Sequence, residues 1–217
     1  MKKIYQIIIL CTMTVALASC GSGGSGKADY KSAIGINDYE AAHKIIKQLG
    51  MDFEEERAEQ LAKGEEFGKD ERMSVESKAQ TYFEAIKEVY CSEVMYLMSD
   101  NNAEVDTKIT FLLNELPNLG IKYPEGREYR WGVPQDQYLN YFLYSESVRC
   151  NNIVCDKILS IAIAMKNDKM AKFALSQFKD ECMMVSESSA LRIRYYSIAK
   201  DEAQRKYHEA VQNGVFD

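Results

Sequence analysis

Proline, histidine and tryptophan are all scarce in this chain of 217 residues, which contains three, two and one of them respectively. Proline breaks helices by removing a backbone donor and clashing with the preceding turn. Pro117, Pro124 and Pro134 are confined to one part of the sequence, so the remainder is free to be helical. No run alternates convincingly between apolar and polar at period two, so strands are not expected. Two histidines, His43 and His208, offer little to a metal centre, and no Cys-x-x-Cys pair supplies a zinc site. The one extended apolar run, Ile4 to Val15, is too short to remain in a bilayer as a spanning helix. The glycine-rich stretch Gly21-Ser22-Gly23-Gly24-Ser25-Gly26 follows no strand and precedes no Gly-Lys-Ser/Thr, which excludes a phosphate loop. Nor does it form a Gly-x-Ser-x-Gly nucleophile elbow.

What the chain has in quantity is acid. Its formal net charge is −6, and the excess is lopsided. Residues 27–120 carry 11 basic and 20 acidic side chains, whereas residues 121–217 carry 14 and 13. An acidic front half argues against nucleic acid or anionic lipid headgroups as partners, since both are polyanions. The runs Glu54-Glu55-Glu56 and Glu65-Glu66 read as solvated helix surface.

Apolar residues recur at helical spacing almost throughout. Asn37 with Glu40 fits a capping box, and Tyr39, Ala42, Ile46 and Leu49 then form one stripe that Gly50 would end. A weaker helix is expected around Phe53–Leu61. Ser74 could cap a long helix with Ala79, Phe83, Ile86, Tyr90, Val94 and Leu97 on one side, and Val105, Ile109, Leu112 and Leu116 mark the next. Helices are expected at Tyr138–Ser147, Ile153–Met165, Met170–Met184 and Ser188–Asn213, the last stopped by Gly214. The expected fold is all-α, with antiparallel helical hairpins in a repeat-like stack or an irregular bundle. One domain over residues 37–217 accommodates this, and about 190 residues can bury roughly 70% of their unfolded surface.

The first residues have a different character. Lys2 and Lys3 precede the apolar run, and Leu17-Ala18-Ser19-Cys20 follows it, with small residues immediately before a cysteine. This resembles the lipobox of bacterial lipoproteins. The resemblance implies a signal peptide over residues 1–19, a lipidated Cys20 as mature N-terminus, and a tether over residues 20–36. Several acyl chains on one residue anchor stably where a single chain does not. The Gly/Ser hexapeptide would act as a random-coil spacer with a reach of roughly 13 Å. Gly21 stands where inner-membrane lipoproteins carry an aspartate, and the tether lacks an acidic run. The implied address is the outer membrane, facing the periplasm.

Towards the C-terminus, Ile158, Ile161, Ala162 and Met165, then Ala174 and Phe178, are separated by the turn-forming Asn167-Asp168. This segment resembles a tetratricopeptide repeat, whose two helices carry large and small residues at those positions. Ser186 replaces the closing proline, and Glu181 stands where a small residue is usual. The resemblance implies one hairpin burying Ile158, Ile161, Met165, Ala174 and Phe178 between its arms. Asp38-Tyr39-Glu40 with Ala42 and Ile46 is similar to the second helix of another repeat, its first helix cut short by the tether.

Four cysteines remain after Cys11 in the signal and Cys20: Cys91, Cys150, Cys155 and Cys182. An exported compartment permits disulfides among them. A Cys150–Cys155 bridge requires Asn151-Asn152 to form a turn, and buried free thiols are the alternative. Glu40-x-x-His43 has the spacing of carboxylate-bridged di-iron bundles, but Arg205 occupies the matching place before His208. No metal or cofactor is therefore expected. An enzyme would need a pocket converging on His43, His208 or a cysteine thiolate, none of which has a local signature. The segment Ile121–Gln135 is the stronger candidate, because long irregular connections are uncommon unless functional or disordered. It concentrates Tyr123, Arg127, Tyr129, Arg130 and Trp131, the residue types that dominate binding hot spots. The expected function is a membrane-anchored helical module that binds a protein partner in the envelope. An immunity-type lipoprotein that blocks a toxin delivered to the periplasm is the alternative.

Overall fold

The computed structural model describes residues 29–99, 107–110, 134–187 and 190–217. The chain is all-α in class. Among the described residues, the helices with both ends defined are α1 (Tyr30–Gly35), α2 (Tyr39–Leu61), α3 (Lys69–Ser99), α4 (Gln135–Ala164), α5 (Asp168–Ser176) and α6 (Ile198–Gln212), and residues 107–110 are helical as well. One antiparallel hairpin, β1 (Glu181–Glu187) and β2 (Ala190–Tyr196), interrupts them between α5 and α6.

The longest elements decide the architecture. α3 is 31 residues long and is packed against α2 on one side and α4 on the other. Its stripe is wider than one face: Ala79, Phe83, Ile86, Tyr90 and Val94 are buried as expected, and so are Val75, Ala85 and Val89. α2 contributes Ala42, Ile46 and Phe53 to the same core, and α4 contributes Leu139, Leu143, Val154, Ile158 and Leu159. Full burial of each such aliphatic or aromatic side chain stabilises the fold by about 1.5–3 kcal/mol.

The helix ends explain most departures from expectation. Asp38, rather than Asn37, caps α2, its carboxylate accepting from the Ala41 N–H at 3.0 Å. Asn37 instead takes φ +59, which lets the chain turn out of α1. α1 itself falls within residues read as tether and is capped by Asp29, which accepts from the Lys31 N–H at 3.1 Å. α2 runs straight through Gly50. A Cβ there would lie 3.1 Å from the Tyr82 ring, so the glycine serves close helix approach and not a stop. Ser74 lies inside α3, which begins at Lys69 with Glu71 reaching back to the Gly68 N–H at 3.0 Å.

Three helices end in the same way. The Asp38 N–H bonds Ala33 O and the Asn37 N–H bonds Ile34 O. The same pair of bonds closes α4 from Asn167 to Ala162 and from Lys166 to Ile163, and α6 from Val215 to Ala210 and from Gly214 to Val211. Each is a Schellman turn, with a left-handed residue at Asn37, Lys166 or Gly214. Gly214 thus stops α6 as expected, and Asn167 then caps α5 by accepting from the Met170 N–H at 3.0 Å.

The hairpin implied at Ile158–Phe178 forms with its turn at the expected place. Ile158, Ala162, Ala174 and Phe178 are buried and Ile161 packs against the core, but Met165 is 43% exposed because it sits at the C-cap of α4. Its arms are unequal: Tyr138–Ser147 and Ile153–Met165 are not separate helices but parts of the single 30-residue α4, while α5 has nine residues. The strands correct the helices expected over Met170–Met184 and Ser188–Asn213. Leu191-Arg192-Ile193-Arg194-Tyr195 does alternate at period two, and the register pairs Met184 with Ile193 and Cys182 with Tyr195.

One carboxylate ties α2 to α3. Glu56 accepts from Ser74 Oγ at 2.5 Å and from Gln60 Nε2 at 2.8 Å, with Lys78 Nζ at 3.6 Å. The Ser74 hydroxyl first, then Gln60, holds Glu56 below the usual carboxylate range. A lowered folded-state value means that stability is fully present above the unfolded value and is lost as pH falls through the folded one. Ser74→Ala should therefore cost about 1–2 kcal/mol near neutral pH, as loss of a hydrogen bond to a charged acceptor. In chemical denaturation at pH 3 and below, that difference should shrink, because a protonated Glu56 holds Ser74 less strongly.

Candidate functional site

Two adjacent asparagines in the middle of α4 organise the region that most resembles a site. Asn151 and Asn152 are the buried polar residues of the described core, at 6% and 3% exposure. A helix already satisfies its own backbone, so their side-chain amides are free to bond elsewhere. Asn151 Nδ2 donates to Gln177 O at 2.9 Å. Asn152 Nδ2 donates to Lys179 O at 2.9 Å, and Asn152 Oδ1 accepts from the Lys179 N–H at 2.9 Å. The Asn152 amide thus pairs with Lys179 as a neighbouring strand would. This fixes the path of the chain as it leaves α5 and carries Phe178 and Glu181 alongside α4.

α6 then docks next to that clamp. Lys206 Nζ reaches Asp156 Oδ1 at 2.6 Å and Ser160 Oγ at 3.2 Å, both on α4. Tyr207 Oη donates to Asp168 Oδ1 at 2.7 Å. Lys172 chiefly, and then Tyr207, holds the Asp168 carboxyl below its ordinary value. Lys200 and Asp180 approach to 3.6 Å near the start of α6. These ties leave an open cleft of about 450 Å³ between α4 and α6. Its apolar strip is Ile153, Phe178 and Ala199, and its charged walls include Arg149, Glu181, Glu202 and Arg205. Two helical stripes build it, 149–152–153–156 on α4 and 199–202–206–209 on α6, each at i+3/i+4 spacing.

Apart from the Lys206–Asp156 pair, the charges in this cleft are loosely committed. Arg149 reaches Glu146 at 3.6 Å and Arg205 reaches Glu209 at 3.9 Å, with side chains 64% and 70% exposed. Glu202 has no ion-pair partner among the described residues, and the hydrogen bond to Glu181 comes from Asn152 at 3.4 Å. Exposed pairs of this kind contribute little to stability, and their charged ends are available to a ligand.

The residues singled out from sequence fall elsewhere. Cys20 and the segment holding Tyr123, Arg127, Tyr129, Arg130 and Trp131 lie outside the described residues. His43 does not join Glu40, which pairs with Lys44 at 2.7 Å. It turns instead to α3, with Nε2 2.6 Å from Glu93 Oε2 and its ring edge-on to Tyr90. His208 is exposed on α6 beside Tyr207. Among the described residues, no group of three His, Cys, Asp or Glu side chains is placed to hold a metal ion.

Cys91, Cys150 and Cys155 are free thiols. Asn151-Asn152 are helical, so the turn required for a local Cys150–Cys155 bridge does not exist. Burial pushes both of these thiols up to about 12, and Cys91 upward by the same cause. A thiol held protonated is a poor nucleophile. None of the three lines the α4–α6 cleft. Comparison with protein-family models, curated proteins and solved structures found no match to the chain.

Asn152→Ala should cost about 1–3 kcal/mol by leaving both backbone groups of Lys179 without their partner. Asn151→Ala, which removes the donor to Gln177 O together with longer contacts to Asn152 Oδ1 at 3.3 Å and Cys155 Sγ at 3.6 Å, should cost less in the same urea titration. Iodoacetamide at pH 8, followed by peptide mass mapping, should leave Cys150 and Cys155 unmodified in the folded protein. Both should be alkylated once the protein is unfolded in guanidinium.

Proposed function

We propose that this chain is a lipid-anchored binding module of the bacterial cell envelope, held at the outer membrane through Cys20. Its helical domain engages a partner without chemical transformation. The α4–α6 cleft carries this reading: charges of both signs, several of them weakly paired, flank an apolar strip in which Ile153 is exposed, Ala199 half-buried and Phe178 buried. Binding sites combine an apolar floor with a few polar groups that fix orientation, and this cleft has both.

The anchoring half is supported by the order of Lys2-Lys3, the short apolar run, Leu17-Ala18-Ser19-Cys20 and the Gly/Ser spacer. Among the described residues, no helix is long and apolar enough to cross a membrane. A partner protein in the envelope fits a domain standing on such a spacer, with Tyr123, Arg127, Tyr129, Arg130 and Trp131 as a second contact region. The acidic front half would steer basic partners, with an association rate that falls as salt rises.

Radiolabelled palmitate should be incorporated by cells expressing the native chain and lost on Cys20→Ser. The variant should also leave the membrane fraction or accumulate unprocessed. Equal labelling of the two proteins would sink the anchoring half.

A further inference from the structure

We infer that the α4–α6 cleft binds a short peptide with free ends, two or three residues long. The inference rests on the cleft being a binding site and names what that site would take.

The argument is one of matched charge and volume. The cleft presents guanidinium groups at Arg149 and Arg205 and carboxylates at Glu181 and Glu202, with Ile153, Phe178 and Ala199 between them. A lining of one sign would select an anion or a cation. A lining of both signs selects a ligand that carries a carboxylate and an ammonium together, joined by something apolar enough to lie on the strip. Guanidinium meets carboxylate with two parallel hydrogen bonds, a geometry that an exposed ammonium cannot copy.

The bonds already made in the cleft do not compete strongly for such a ligand. Arg149 is held at 3.6 Å by a residue one turn away on its own helix, and Glu202 carries no ion pair among the described residues. Lys206 is different. It is committed to Asp156 at 2.6 Å and to Ser160, so it holds the α6 wall in place. Arg149 on α4 is therefore assigned to the peptide carboxylate and Glu202 on α6 to its ammonium. At about 450 Å³, the cleft lies within the range of small-ligand sites and has room for more than a single amino acid.

Isothermal titration of the detergent-purified full chain with Ala-Leu-Ala tests this. Four forms of the peptide are used: unblocked, N-acetylated, C-amidated and doubly blocked. The unblocked form should bind, and each block should weaken binding about tenfold. In Glu202→Gln the N-acetylated and unblocked forms should bind alike, and in Arg149→Gln the C-amidated and unblocked forms should. Both residues have exposed side chains, and circular dichroism reports whether the variants remain folded. Equal binding of all four forms, lost on Glu202→Arg, would keep the cleft as a binding site and overturn the free-ended ligand. Absence of binding at millimolar peptide would overturn this inference without touching Cys20-dependent anchoring. Tighter binding of free leucine than of the tripeptide would also overturn it.

Discussion

A helix buried on more than one side cannot be satisfied by a single neighbour, and α3 imposes that condition on the whole molecule. Val75, Ala79, Phe83, Ala85, Ile86, Val89 and Val94 together cover too wide an arc for one partner helix to shield. α2 must therefore lie on one side and α4 on the other. The length of α3 sets the length of both neighbours, which is why α2 continues past Gly50 and α4 past Ser147. The clamp and the cleft are both built on α4 of this three-helix frame and share Asn152, while Tyr207 ties α6 to Asp168 at the start of α5.

Periodicity made most of this frame legible, because the stripes of α2, α3 and the C-terminal half of α4 repeat cleanly at 3.6 residues. The helix boundaries were harder to read. Gly50 and Asn151-Asn152 carry local signals for a stop and a turn, yet both lie inside helices. Tertiary contact outweighs the local preference: Tyr82 needs the space above Gly50, and the chain beyond α5 needs the Asn152 amide. The hairpin was hidden for another reason. Glu181-Cys182-Met183-Met184-Val185 has no alternation of its own, and the clear period of Leu191–Tyr195 acquires meaning only when paired with it.

The cleft was invisible in sequence because its parts are ordinary. Arg149, Asp156, Glu202, Arg205 and Lys206 have the pattern of a solvated helix face, and most are exposed. Their significance comes from two stripes some fifty residues apart being set side by side. Of the residues with obvious chemistry, His43 and three cysteines are used up within the frame: His43 ties α2 to Glu93, and the thiols of Cys91, Cys150 and Cys155 pack in or against the core that α3 and α4 share.

α6 is held differently from the other long helices. Only Ala203 and Ala210 of its fifteen residues are buried, and polar ties at Lys206 and Tyr207 do much of the rest. Local openings draw on the least anchored elements, so this wall can detach while the three-helix frame stays closed. A molecule bridging Arg149 and Glu202 would then act as a rivet between a rigid half and a loose one. Ligand concentration, more than any residue in the core, would set how long the last helix stays in place.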